Sequence, residues 1–228
     1  MLAGMSTVLQ QRPTRTPPSV VVRGCALAVL VACGAGVLVL QQLVVGTRAG
    51  QHLDRAVLQR VLELVGTRTG ATRTVLSSTT ELSVGAVLVV LVGIALARRR
   101  PQAALGAAVV VLGSSATTAL LKLVLGGSLP SGHTTAVAGL TCAAVLVAPR
   151  WARPVLALVG AAATVVEGTA TMVAGWHRPV DLLAACLVVV GWTALVVAAA
   201  PRGASTGLDS HGLDSHGLDS HGGDRRER

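Results

Sequence analysis

KLVLGGSLPSGH, residues 122 to 133, interrupts the chain between two uncharged stretches, and its reading decides the fold. Residues 103 to 121 before it carry no charge, and neither do residues 134 to 149 after it. A second segment, GWHRPVD at residues 175 to 181, stands in the same way between apolar runs at 154–175 and 179–200. Together the two segments hold the only lysine and two of the three histidines outside the C-terminal tail. Ionisable side chains in so apolar a chain carry a desolvation cost, so their presence calls for a functional reason.

Working outward, composition sets the solvent. Of 228 residues, 52% are hydrophobic and 13% charged, and the mean hydropathy is +0.68. Soluble domains rarely combine these values. The formal charge of +9 suggests a polyanionic partner, but the arginines lie scattered between apolar runs and form no single basic stripe. That pattern excludes a nucleic-acid interface and fits membrane topology. With no Phe or Tyr, aromatic anchoring falls to Trp151, Trp176 and Trp192. Cys25, Cys33, Cys142 and Cys186 lie inside apolar runs without metal or disulfide spacing, and are expected to be small buried hydrophobes.

The runs predict an all-α membrane protein, a six-span transmembrane bundle, with spans at 24–45, 81–97, 103–125, 134–149, 154–175 and 179–200. Residues 1–23 are expected to be a disordered cytoplasmic lead. Leu30-Val31-Ala32-Cys33 also fits a lipoprotein cleavage box, but apolar sequence continues past Cys33, which favours a retained span. The connection 46–80 is too long for an idle loop. Within it Leu53, Val57, Val61, Leu64 and Val65 recur at helical spacing, which predicts a surface amphipathic helix, with a plain interfacial linker as the alternative. Glu167 sits in mid-span, too far from His177 to take part directly, and is expected to be protonated or bonded to a Thr or Ser of a neighbouring span, with a substrate or proton-path role as the alternative. The segment 201–228 holds GLDSH three times in succession; a solvated low-complexity tail is favoured over a weak metal chelator.

Six spans are expected to place both termini on one side. Arg12, Arg15 and Arg23, Arg98 to Arg100, Arg150, Arg153 and Arg202 fall on that side, while Lys122 and Arg178 fall on the other. The positive-inside rule makes the arginine side cytoplasmic, in a multi-pass protein of the cell (plasma) membrane. The five arginines of 46–80 count against this orientation, within a longer connection that also holds Asp54 and Glu63. Lys122, Ser131 to His133 and His177 to Asp181 then converge on the extracytoplasmic face.

Their chemistry suits an anion. Ser131-Gly132-His133 opens a helix, whose first N–H groups and dipole attract negative charge. His133 can move a proton near neutral pH. A plain helix start, with Ser131 as cap and Gly132 for the turn, is the alternative. His177 and Asp181 share a helix face at i, i+4, so the carboxylate can hold one ring nitrogen and leave the other free as nucleophile. The competing reading pairs Asp181 with Arg178 and leaves His177 a bystander.

Lys122, PSGH and H-x3-D, each at the outer end of a span, resemble the type 2 phosphatidic acid phosphatases, membrane relatives of bacterial acid phosphatases and vanadium haloperoxidases. The resemblance covers roughly residues 80 to 200. It implies a metal-independent hydrolase, without cofactor, acting on a lipid phosphate in the bilayer. His177 would form a phosphohistidine, Asp181 orient it and His133 protonate the leaving oxygen, while Lys122, Ser131 and Gly132 hold the phosphate.

Two motif positions depart from the family. Its first motif, K-x6-R-P, meets Leu129-Pro130 here, and its third, S-R-x5-H-x3-D, meets Ala170-Thr171. Losing two charged hydrogen bonds forfeits about 3 to 6 kcal/mol. Arg178, beside the expected nucleophile, is the first candidate to replace the charge for phosphate binding, with Arg48 or Arg73 behind it. The alternative function is a catalytically impaired relative that binds or helps move anionic lipids; a structural or transport protein with incidental histidines comes third.

Overall fold

The computed structural model describes residues 18–66, 69–127 and 129–200, and every regular element among them is a helix. The expected N-terminal lead up to residue 17 and the GLDSH tail lie outside the described residues. Helix α1 spans Pro18–Val39 and continues as a π-helical stretch, Leu40–Val45. It therefore starts ahead of the expected Gly24. The connection to the next apolar run holds two helices, α2 (Arg48–Val65) and α3 (Thr69–Ser78). Then follow α4 (Glu81–Ala97), α5 (Pro101–Leu125), α6 (Gly132–Val147), α7 (Arg153–Val173) and α8 (Pro179–Ala199).

Local chemistry explains the boundaries. Thr80 and Ser83 form a reciprocal capping box at the start of α4. Pro101, Pro154 and Pro179 stand in the first turns of α5, α7 and α8, where their missing N–H is harmless. Gly126 ends α5 in the left-handed region at φ 63°, which glycine adopts without Cβ strain.

Small residues bring the helices together. Ala95, Ala104, Ala107 and Ala143 are buried with Val111 and Val147 where α4, α5 and α6 meet. Gly113 leaves no room for a Cβ beneath Trp192, whose indole N–H donates to Thr117 Oγ1 at 2.9 Å. Close approach through small residues is the packing expected where lipid surrounds the bundle. The outer faces carry large apolar side chains such as Val89, Leu105 and Leu158, each at least 66% exposed, a surface suited to hydrocarbon. Because α1 packs chiefly on α8, its outward side chains are uncovered. Cys25 is accordingly exposed, contrary to expectation, while Cys33 is buried and Cys142 and Cys186 partly so.

Among the described residues, four helices are long and apolar enough to cross a bilayer: Val20–Val45, Pro101–Leu125, Arg153–Val173 and Pro179–Ala199. A fifth arises if Gly70–Ser78 and Glu81–Ala97, bent by 52° at their junction, count as one. Helix α6, 16 residues or about 24 Å, falls short of the length test. No residue of α6 is exposed. Helices α4, α5, α7 and α8 all pack on it, so its length answers more to protein than to lipid.

Opposite ends of α6 fix the two ends of the bundle. At its C-terminus, Arg100 Nη1 donates to Val147 O at 2.9 Å and Arg153 Nε to Ala148 O at 3.2 Å. At its N-terminus lie the segments that opened the sequence reading.

Candidate active site

Ser131 is completely buried, and its Oγ caps α6 by accepting from Thr134 N at 3.4 Å and Thr134 Oγ1 at 3.1 Å. Its backbone N–H donates to Asp181 O at 3.0 Å. That single bond joins the two motifs, fifty residues apart in the chain. Beneath it Leu129, Val180 and Ala184 form a buried apolar cluster with side chains from the end of α1. The loop before α6 is thus anchored to the first turn of α8.

On α8 the expected pair is formed. His177 Nδ1 lies 3.2 Å from Asp181 Oδ2, with both side chains at least nine-tenths buried. The same Oδ2 accepts from Arg178 N at 2.9 Å. A carboxylate held by two donors fixes the ring and leaves Nε2 as the nitrogen that Asp181 does not hold. The contact pairs His177 with Asp181, while Arg178 meets the same carboxylate through its backbone N–H.

His133 is half-buried at the start of α6, ahead of the apolar run that begins at Thr134. Its ring lies against Trp176, centroids 5.6 Å apart and tilted by 48°. Burial lowers its pKa below the ordinary 6.5, and the neighbouring His177 and Lys122 lower it further. Lys122 Nζ comes within 3.6 Å of where a Cβ on Gly132 would stand. Lys122, Gly132 and His133 line one cleft of about 690 Å³, whose remaining walls come from Leu76, the bend at Thr79 and Thr80, and α4, α5 and α6, and mix apolar side chains with hydroxyls and Glu81. Lys122 is the one lysine or arginine among the residues lining it.

Not every expected residue enters that cleft. Ser131 and His177 do not line it, and neither does Arg178, which is exposed. Arg73 lines a separate cavity of about 370 Å³ on the far side of Leu76, with Trp176 as a shared wall to His133. Ala170 and Thr171 are buried in α7, and Thr171 O accepts from the backbone N–H of Trp176 at 3.0 Å.

Two polar contacts escaped the sequence reading in whole or in part. Glu167 Oε2 accepts from Thr79 Oγ1 at 3.1 Å, at the bend between α3 and α4, and its Oε1 is buried without a partner. A bond to Thr or Ser was expected from the cost of a mid-span carboxylate; which one was not legible. Asp54, on α2, is buried and accepts from Val180 N at 3.0 Å. Burial raises its pKa, the Val180 N–H and the Arg178 charge lower it, and Asp181 raises it again. The sequence marks Asp54 only faintly, because it lies in register with Gln51, Leu58 and Leu62 on the face that α2 turns inward, whereas Leu53 and Val57, the start of the apolar spacing, are exposed.

The cleft can hold an anion between a helix N-terminus and an ammonium, beside His133; His177, fixed by its carboxylate, lies close enough to lower the His133 pKa but does not line that cleft. The chain matches the family model described as PAP2 superfamily over residues 82–203. No curated protein and no solved structure matches it.

Proposed function

The chain belongs to the PAP2 superfamily, a family of phosphatase-type hydrolases, and from that premise we propose that it is a membrane lipid phosphate phosphatase working through a phosphohistidine. The observation that carries this reading is the Asp181 junction, which holds His177 through its side chain and Ser131 through its carbonyl.

In the proposed cycle the Nε2 lone pair of His177 attacks phosphorus and the bond to the lipid oxygen breaks. His133 gives its proton to that leaving oxygen, and Asp181 stabilises the charge on the phosphorylated imidazole. Water then attacks phosphorus, His133 takes its proton, the P–N bond breaks and phosphate leaves. Lys122 and the first N–H groups of α6 at Gly132 and His133 bind the phosphoryl oxygens, with the Ser131 hydroxyl supporting them. Arg178, exposed beside the nucleophile, supplies a second charge to a headgroup arriving from the bilayer surface. The substrate is a phosphomonoester or diphosphate whose tails stay in the bilayer.

The topology we propose has six crossings, α1, the bent α3–α4 pair, α5, α6, α7 and α8, in the cell membrane. The arginine-rich end is cytoplasmic and the site extracytoplasmic. The positive-inside rule supports this, as does the bond from Arg100 to Val147 that gathers Arg98 to Arg100 with Arg150 and Arg153.

Purified protein should release phosphate from lipid phosphates in the presence of chelator, and His177→Ala and His133→Ala should each abolish release. A second reading, an impaired relative that binds anionic lipids, is favoured by the replaced arginines and the single fixed cation in the cleft. Lipid binding without turnover by the wild-type protein selects it.

A further inference from the structure

Helix α8 begins with an incomplete set of N-terminal hydrogen bonds of its own. Arg178 makes no side-chain cap, and Pro179 has no N–H to offer. The acceptor for the next N–H, that of Val180, comes from α2, where Asp54 Oδ1 reaches it across 126 residues at 3.0 Å. A buried carboxylate on a helix N-terminus is favourably placed by the dipole. Val180 directly precedes Asp181, so whatever fixes the Val180 amide also fixes the backbone that presents Asp181 to His177 and Ser131.

Helix α2 is itself held in place. Thr47 caps it and donates to Leu43 O at 2.6 Å, while Gln51 Nε2 donates to Val45 O at 2.8 Å. Gly50 lies so close to the backbone of Leu43 and Val44 that a Cβ there has no room. These contacts brace α2 against the π-helical end of α1, whose Leu40, Val44 and Val45 pack on the Val180 cluster. Leu53 and Leu64 point away, 65% and 85% exposed, so Asp54 is the polar group that α2 turns inward.

We propose that Asp54 is a positioning residue: from outside the segment that defines the family, α2 uses it to hold the first turn of α8, and thereby the His177–Asp181 pair, against the loop of Ser131 to His133. The catalytic part of this inference rests on the phosphatase reading above; the tether itself does not.

The test compares Asp54→Leu with Asp54→Asn in the full chain in lipid nanodiscs, with Asp54→Ala in place of Leu if the latter fails to assemble. Asparagine retains an oxygen at the Oδ1 position, whereas leucine and alanine do not. Amide hydrogen exchange of residues 178–185 should rise in Asp54→Leu and stay near wild type in Asp54→Asn. With a dioleoyl phosphatidate probe, kcat should fall about 10- to 100-fold in Asp54→Leu, as a displaced catalytic group implies, with KM little changed and most of kcat restored by Asn. Unchanged exchange in the apolar variant overturns the tether. Raised exchange with an unaltered kcat, or an Asn variant as impaired as Leu, overturns the positioning role. A wild-type protein that lacks turnover defeats the phosphatase reading instead, and exchange alone then decides whether Asp54 holds α8.

Discussion

The two ends of α6 use charge in opposite ways. At the C-terminal end, Arg100 and Arg153 are spent on carbonyl oxygens, Val147 O and Ala148 O. At the N-terminal end, Ser131, Asp181 and Asp54 satisfy N–H groups, and Lys122 is left beside Gly132 facing a cleft. The macrodipole accounts for the division, since cations belong at a helix C-terminus and anions at its N-terminus. On the proposed reading an anionic substrate completes one end of this helix, while the carbonyls at the other end already have their cations.

Mutations that treat the two ends alike should break this contrast. The largest effect is expected for His177→Ala, with kcat/KM for a lipid phosphate falling about 10⁴-fold or more, since an essential nucleophile leaves only residual binding effects. Retained turnover in a phosphate-release assay would remove His177 from the chemistry. Lys122→Met should lower kcat/KM by about 10²- to 10³-fold, the scale of losing one charged donor to a developing oxyanion. A change confined to KM would assign Lys122 to ground-state binding alone.

Arg178→Ala should cost about tenfold in kcat/KM, and no change would strike Arg178 from the phosphate site. The pH profile sharpens the comparison further. His133 acts as an acid when protonated, and its pKa lies below 6.5, so kcat/KM should fall as pH rises through a value under 6.5. Lys122→Met removes a nearby positive charge and should move that fall to higher pH. A midpoint that stays fixed would separate His133 from Lys122. At the other end, Arg100→Ala should leave kcat unchanged and destabilise the protein by about 1 kcal/mol, read as a lowered melting temperature in detergent.

Much of the site was legible because it is local. His177 and Asp181 meet through i, i+4 spacing on one helix start, and Ser131 caps the helix that its own loop begins. Lys122 was conspicuous as the only lysine in the chain. Other parts depend on which element lies across the gap. Trp176 against His133, Thr79 on Glu167 and Asp54 on Val180 join residues 43, 88 and 126 positions apart, and no periodicity reports such partners. The span count is less legible for a related reason, because a length rule assumes that lipid surrounds each helix, and no residue of the 16-residue α6 is exposed.

By itself, then, the sequence determined the helical class and the membrane-like surface, which follow from composition and short-range spacing, and its motifs carry the family resemblance that the match over residues 82–203 bears out. Tertiary structure alone decided that α2 reaches the first turn of α8 through Asp54, that the Ser131 backbone N–H is tied to Asp181, and that Lys122 is the one lysine or arginine lining the cleft. These outcomes depend on packing geometry: a buried polar group needs a partner, and the fold chooses which distant residue stands within 3 Å of it.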